Sequence, residues 1–170
     1  MILKTERLIL RPQTQSDAPD LFAILCDPQA MRFWNRPPLA QLAVVEGLVC
    51  EQQAAMAQGL CRYWTAIAKD GAIGSVDLSL IQDGSAELGF LFRPDHWGMG
   101  LASEAVGAVI AHAWDALGLP RLAATVQTEN RAAVRVLEKN GFALIEARPV
   151  VLADGQKKDC SFYLRDTPTA

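Results

Sequence analysis

An α+β chain, with one mixed and mainly antiparallel sheet carrying helices on both faces, is the fold class the sequence predicts. Three observations predict it. In the middle of the chain three strand-like segments follow one another through Asp70-Gly71 and Asp83-Gly84, both strong two-residue hairpin signals. Residues 99 to 117 then carry a helical pattern between two strand-like runs, Ala86–Phe92 and Arg121–Val126. A strand–helix–strand crossover of this kind sets its two strands parallel or splayed. Finally, the chain closes on another hairpin signal, Asp154-Gly155.

The elements can be justified in order. Arg7-Leu8-Ile9-Leu10-Arg11 alternates and stops at Pro12, as a strand does. Ser16-Asp17 offers an N-cap, with Pro19 in the first turn, for a helix through about Cys26 that Asp27-Pro28 ends. Leu42, Val45, Leu48, Val49, Gln52 and Met56 fall at helical spacing across residues 40 to 58, and Gly59 closes that helix. Strands are expected at Arg62–Ala68, Ile73–Ile81 and Ala86–Phe92. The helix of residues 99 to 117 ends at Gly118, with Pro120 beyond. A strand over Arg121–Val126, a helix over Asn130–Asn140 and strands over Phe142–Leu152 and Lys157–Leu164 complete the set.

Composition narrows the function. A chain of 170 residues fits one domain spanning 1–170, and 51% hydrophobic residues suit a buried core. A net charge of -3 supplies no basic field for nucleic acid. No apolar run approaches the ~20 residues of a membrane span, and the first residues lack a signal-peptide layout, so a cytoplasmic protein is expected. Cys26, Cys50, Cys61 and Cys160 form no C-x-x-C pair, and there are two histidines, so neither a metal site nor a disulfide framework is expected.

The chemistry concentrates in His96-Trp97-Gly98-Met99-Gly100-Leu101-Ala102-Ser103-Glu104, a glycine turn between a strand and a long helix. Glycines let the backbone approach a ligand, and the first turn of a helix offers unpaired N–H groups and the positive dipole end. It is neither a dinucleotide fingerprint, since Ser103 stands where the third glycine belongs, nor a P-loop, since no Gly-Lys-Ser/Thr follows. Taken alone the turn fits a plain tight turn as well as an anion cradle.

Four blocks, in this order, carry a resemblance to a known family: Thr5 to Pro12, Asp95-His96-Trp97-Gly98-Met99-Gly100, Trp97 to Ala105, and Asn130 to Phe142. The chain resembles GNAT-superfamily acetyltransferases of the RimJ/RimL type, the branch that acetylates ribosomal-protein N-termini. The resemblance implies the GNAT acyl-CoA N-acyltransferase fold, in the order β-α-α-β-β-β-α-β-α-β-β already read from pattern. It implies acetyl-CoA as co-substrate, no metal, and a primary amine acceptor, either a small molecule or a peptide N-terminus. It implies that main-chain N–H groups of Gly98, Gly100, Leu101 and Ala102, beside Trp97 and Met99, hold the pyrophosphate. The pantetheine arm would then lie along the strand end at Phe90, Leu91 and Phe92 like an added strand. Asn130 would reach the pantetheine or acetyl end, although Asn there also suits an N-cap. Arg135, with Arg131 and Lys139 on one helix face, would meet the 3′-phosphate or simply form an exposed basic face. Phe33 and Trp34 would wall the acceptor cleft or pack the inter-helix loop onto the core.

Direct attack of the amine on the thioester requires a base and an oxyanion donor, the latter a main-chain N–H near Phe90 or Leu91. Candidate bases are Glu87, which shares a strand face with Gly89 and Leu91, Asp77, a charge set between Val76 and Leu78, and His96. Three residues depart from the family pattern. Asp95 puts negative charge near a pyrophosphate, while Ala133 and Leu137 cannot transfer a proton to a leaving thiolate. Those departures keep a second class open, an acyl-CoA-binding sensor with weak or no turnover. The last hairpin leaves monomer and homodimer equally open.

Overall fold

The computed structural model describes residues 1–167. Two strands open the chain, β1 (Leu3–Lys4) and β2 (Ile9–Pro12). The first long strand therefore begins at Ile9 rather than Arg7, because Thr5 and Arg7 turn their polar groups toward a distant carboxylate described below. Helix α1 (Ala18–Leu25) has Pro19 in its first turn, and α2 (Leu42–Ala57) ends before Gly59, whose φ of 81° only glycine adopts readily. Strands β3 (Arg62–Ala68), β4 (Gly71–Gln82) and β5 (Ser85–Phe92) form the expected meander. Asp83 and Gly84, at φ 50° and 72°, make the two-residue turn between β4 and β5. The other turn is shifted by one residue. Ala68 pairs with Gly71, so Lys69-Asp70 is the loop and Gly71 is the first residue of β4.

The second half holds α3 (Leu101–Asp115), β6 (Arg121–Gln127), α4 (Arg131–Lys139), β7 (Ala143–Val151) and β8 (Lys157–Asp166). The eight strands form one sheet in the order β1-β2-β3-β4-β5-β6-β8-β7. The final hairpin thus folds back, with β8 on β6 and β7 at the edge. The β5–β6 pair is parallel and extends over only Ser85↔Arg121, Ala86↔Leu122 and Glu87↔Ala123. Beyond Glu87 the two strands separate.

Each sheet face has its own apolar layer. On one face Val106, Val109 and Ile110 of α3 and Leu137 of α4 pack on Trp64, Leu78, Leu88, Leu122 and Tyr163. On the other, Leu21 and Ile24 of α1 and Val45 and Val49 of α2 pack with Leu91. No residue of β6, β7 or β8 joins this second layer. There Thr125, Ala143 and Glu146 stay exposed, and Ala123, Phe162 and Leu164 are half-buried.

Asp17 locks the first helix to this sheet. Its buried carboxylate accepts from the Arg11 guanidinium, the Thr14 N–H (2.7 Å) and the Thr65 hydroxyl (2.8 Å). Burial alone would raise this acid, but Arg11, Thr14 and Thr65 together hold it below the ordinary carboxylate range. Asp17→Ala is expected to cost about 3 kcal/mol in urea denaturation, since it strips three donors of their acceptor. A loss below about 1 kcal/mol would reduce the cluster to a surface ion pair.

Candidate active site

The split between β5 and β6 exposes main chain inside the molecule. Arg93 N–H bonds Ile73 carbonyl, so the odd residues of β5 face β4 and the even ones, Leu88, Phe90 and Phe92, face the gap. Across it, Thr128 N–H bonds Asp159 carbonyl, which by the same alternation turns the main chain of Thr125 and Gln127 into the gap. Trp97 takes up the Phe92 carbonyl through its indole N–H (2.8 Å), and Asn130 N–H takes up the Gln127 carbonyl. Phe90 and Thr125 are left facing each other across the opening. Of the two oxyanion donors expected from sequence, Phe90 N–H points into the gap and Leu91 N–H points to β4.

At the mouth of the gap the glycine turn carries the chain into α3. Gly98 and Gly100 both have left-handed backbones, with φ of 76° and 79°, and Gly100 is the N-cap of α3 with no side chain to cap it. Among the described residues no acceptor within the protein meets the N–H groups of Gly98, Gly100, Leu101 and Ala102. A side chain added at Gly98 would meet nothing within 4 Å, so the space over the turn is open. Uncapped N–H groups converging at a helix start form an anion cradle.

Two remote segments hold the cradle in place. Glu104, in the first turn of α3, accepts from the Thr5 hydroxyl, the Arg7 N–H (2.8 Å) and the Arg7 guanidinium (2.7 Å), while the same guanidinium donates to the Met99 carbonyl (2.8 Å). Burial would raise Glu104, but the Thr5 and Arg7 donors outweigh it and keep the acid below its ordinary value. From the other side, Asn140 donates to the Ser103 carbonyl (3.2 Å) and hydroxyl (3.1 Å). Three blocks that are far apart in sequence therefore meet at one turn. Asp95 lies in the approach but is engaged by His96 (2.8 Å) and Arg93 (2.6 Å), which lower its pKa and offset its charge toward an anion.

Two carboxylates stand on the sheet face that α1 and α2 partly cover. Asp77 is directly opposite Gly89, and Glu87 lies one step nearer the start of β5, opposite Ser79 and beside Ala123 of β6. A Cβ on Gly89 would lie 2.6 Å from Asp77 Oδ1, so the Asp77 carboxyl leans over β5 where glycine leaves room, next to Phe90. Desolvation, and then the negative charge of Glu87, push Asp77 up to about 7. Tyr63 faces Asp77 from β3, and burial together with the Asp77 charge pushes its phenol up. Strand alternation from the buried Trp64 could have placed Tyr63 on this face.

His96 is elsewhere. Its Nδ1 bonds Asp95 (2.8 Å) and its Nε2 bonds Asp70 (3.0 Å) at the β3–β4 turn, seven residues before Asp77 and hence about 20 Å away along an extended strand. The structure brings Asp77 and Glu87 together and leaves His96 apart, anchoring the turn. Trp34 packs with α1 and α2, and the Phe33 carbonyl accepts from Gln127 Nε2 (3.1 Å), which fixes the loop between the first two helices beside β6. Asn130 caps α4 through the Ala133 N–H (3.2 Å), and Arg131, Arg135 and Lys139 are exposed. Leu137 is fully buried in the apolar layer between the sheet and the α3–α4 face. Among the described residues no three His, Cys, Asp or Glu side chains gather as a metal site, and no helix is long and apolar enough to cross a membrane.

Comparison with known proteins gives the family and the fold. Residues 7–143 match the family model described as an acetyltransferase (GNAT) domain. The chain is 32% identical over 146 residues to the uncharacterized N-acetyltransferase YoaA of Bacillus subtilis, covering 83% of this chain and 82% of that one. It is 31% identical over 144 residues to the uncharacterized N-acetyltransferase p20 of Bacillus licheniformis, covering 82% and 81%. In fold it is similar to RimL, the ribosomal L7/L12 alpha-N-protein acetyltransferase solved with coenzyme A, at a TM-score of 0.90, 18% identity and 98% of each chain. It is also similar to the Vibrio cholerae spermidine N-acetyltransferase solved with CoA and spermine, at a TM-score of 0.83 and 21% identity over 95% and 96% of the chains.

The raised Asp77 leaves a thermodynamic mark. Between an unfolded value of about 3.8 and the folded value of about 7, the folded chain keeps a proton that the unfolded chain has released. Stability therefore falls as pH rises through that window and levels off above it. Urea midpoints at several pH values are expected to show this slope in the parent and a flatter one in Asp77→Asn; equal slopes would mean that Asp77 titrates normally.

Proposed function

This chain belongs to the GNAT acetyltransferase family and is an N-acetyltransferase, and from that premise we propose that it transfers the acetyl group of acetyl-CoA directly to a primary amine. The observation that carries the reading is the juxtaposition of the cradle, the unpaired Phe90 N–H and the Asp77 carboxyl along one gap. The donor N–H groups of Gly98, Gly100, Leu101 and Ala102 suit a pyrophosphate, and the free main-chain edges of Phe90 and Thr125 suit the two amides of a pantetheine arm. Asn130, already engaged as a cap, flanks that arm, and Arg135 offers an exposed cation for the 3′-phosphate.

The amine must arrive from the Asp77 side, because α3 and α4 fill the other face. There it loses a proton to the Asp77 carboxylate, whose value near 7 suits a base at neutral pH. Glu87 keeps that value high and holds the ammonium form before transfer. The nitrogen attacks the thioester carbonyl carbon, and Phe90 N–H receives the developing oxyanion. As the carbon–sulfur bond breaks, CoA leaves as a thiolate and the nitrogen, cationic after the attack, releases its second proton to water. A thiol pKa of about 8.5 lets solvent supply its proton, so the position held by the buried Leu137 needs no acid.

Two outcomes are expected. Turnover rises with pH through about 7 in the parent, Asp77→Asn loses that limb, and Glu87→Gln moves it to lower pH by removing the neighbouring charge. A limb unchanged in Asp77→Asn would remove Asp77 as the base. Separately, Gly100→Val forces a β-branched residue into a left-handed backbone beside Arg7 and is expected to weaken acetyl-CoA binding at least about tenfold by calorimetry. Parent-like affinity would end the cradle assignment.

A further inference from the structure

Beside the two carboxylates lies sheet surface that no helix of the second apolar layer covers. Ala123 is the direct partner of Glu87 across the parallel pair, and Leu164 is the direct partner of Ala123. One step along, Thr125 faces Phe162. These side chains line a shallow cavity of about 220 Å³, with Ile145 and Glu146 at its outer rim. We propose that this floor seats an apolar group of the acceptor, and that the acceptor is a small primary amine bearing one ring or branched alkyl group. The proposal rests on the acetyl-transfer reading above and names its substrate class.

Position makes the assignment. An amine held over Gly89 by Asp77 and Glu87 has α1 and α2 on its β3–β4 side and the filled α3 face beneath the sheet. Its substituent can extend toward β6 and β8, onto Ala123, Leu164 and Phe162. Polarity narrows the class further. β6, β8 and β7 are paired to one another, so the floor offers few free main-chain partners to the amides of a longer peptide. Glu146 is paired with Arg148 (2.9 Å), whose guanidinium lies 4.3 Å from the Phe162 ring centroid, so a cation already stands at this rim and disfavours a second ammonium there. Size sets the limit. One step past Thr125, Gln127 is tied to the Phe33 carbonyl and lines a different, larger polar cavity of about 530 Å³ with Thr128, Lys157 and Lys158.

The test follows CoA release from acetyl-CoA with 2-phenylethylamine, 3-methylbutylamine, ethanolamine, spermidine and an alanine-led tripeptide. The first two are expected to exceed the other three at least about tenfold in kcat/KM, the range one apolar contact set supplies. Ala123→Leu fills the floor and Phe162→Ala removes its largest side chain. Each is expected to cut the ratio of 2-phenylethylamine to ethanolamine at least about fivefold, with thermal unfolding confirming that the variant folds. Preference for spermidine or the tripeptide overturns the proposal while leaving acetyl transfer in place. Release with none of the amines overturns both. Sedimentation that finds a dimer dissociated by Ala123→Leu, with the ratio unchanged, makes the floor a contact between copies and also overturns it.

Discussion

The site depends on a parallel strand pair that stops early. Three residue partners join β5 to β6, and beyond them the strands diverge inside a molecule whose other neighbouring strands stay paired. Main-chain groups turned into such a gap are costly without partners, which is why the nearest side chains and turns take up what they can. Trp97 satisfies Phe92 and Asn130 N–H satisfies Gln127. What remains at Phe90 and Thr125 is hydrogen-bonding capacity held at a fixed spacing by the covalent frame of two strands. A loop would surrender that geometry to thermal motion, whereas a diverging sheet cannot.

The acids follow from the same arrangement. Asp77 occupies an inner strand, where a side chain can lean across its neighbour only if that neighbour is small. Gly89 is that neighbour, and its missing Cβ is the reason the carboxyl lies beside the gap. Charge in that position cannot be solvated from below, because Val76 and Leu78 on either side send their side chains into the core. The proton is retained to an unusually high pH for the same reason that the carboxyl is well placed.

Much of this was legible in the sequence, because local chemistry fixes local structure. The left-handed turn at Asp83-Gly84, the cap at Asn130 and the glycine turn before α3 all follow from residues that tolerate few other backbones. The splay was implied by the crossover that precedes Arg121. Less legible were features decided by partners far along the chain. The β3–β4 turn slipped by one residue because pairing between Ala68 and Gly71 settled it, and the dipeptide did not. Strand β2 starts two residues late because Arg7 is drawn to Glu104. Nothing local in His96 says that two carboxylates will engage both ring nitrogens, one of them from a hairpin twenty-six residues earlier. The fold-back of β8 onto β6 also lay beyond pattern, since an alternating strand does not name its neighbour.

The Glu104 clamp has a consequence for how the molecule comes into being. Its donors and acceptor are ninety-seven to ninety-nine residues apart, so the bond closes one of the longest loops in the chain. The entropy of such a closure must be met before the contact gives anything back, which makes it a late event in folding. The meander and its helices can assemble first, from near neighbours. The glycine turn acquires its final shape only when the amino terminus returns to it. During synthesis at the ribosome, a chain that has not yet extended beyond Glu104 carries the meander and the α1–α2 layer but lacks β6 and α4. Readiness to bind therefore waits on two closures, Thr5 and Arg7 onto Glu104 and the later-made β6 alongside β5.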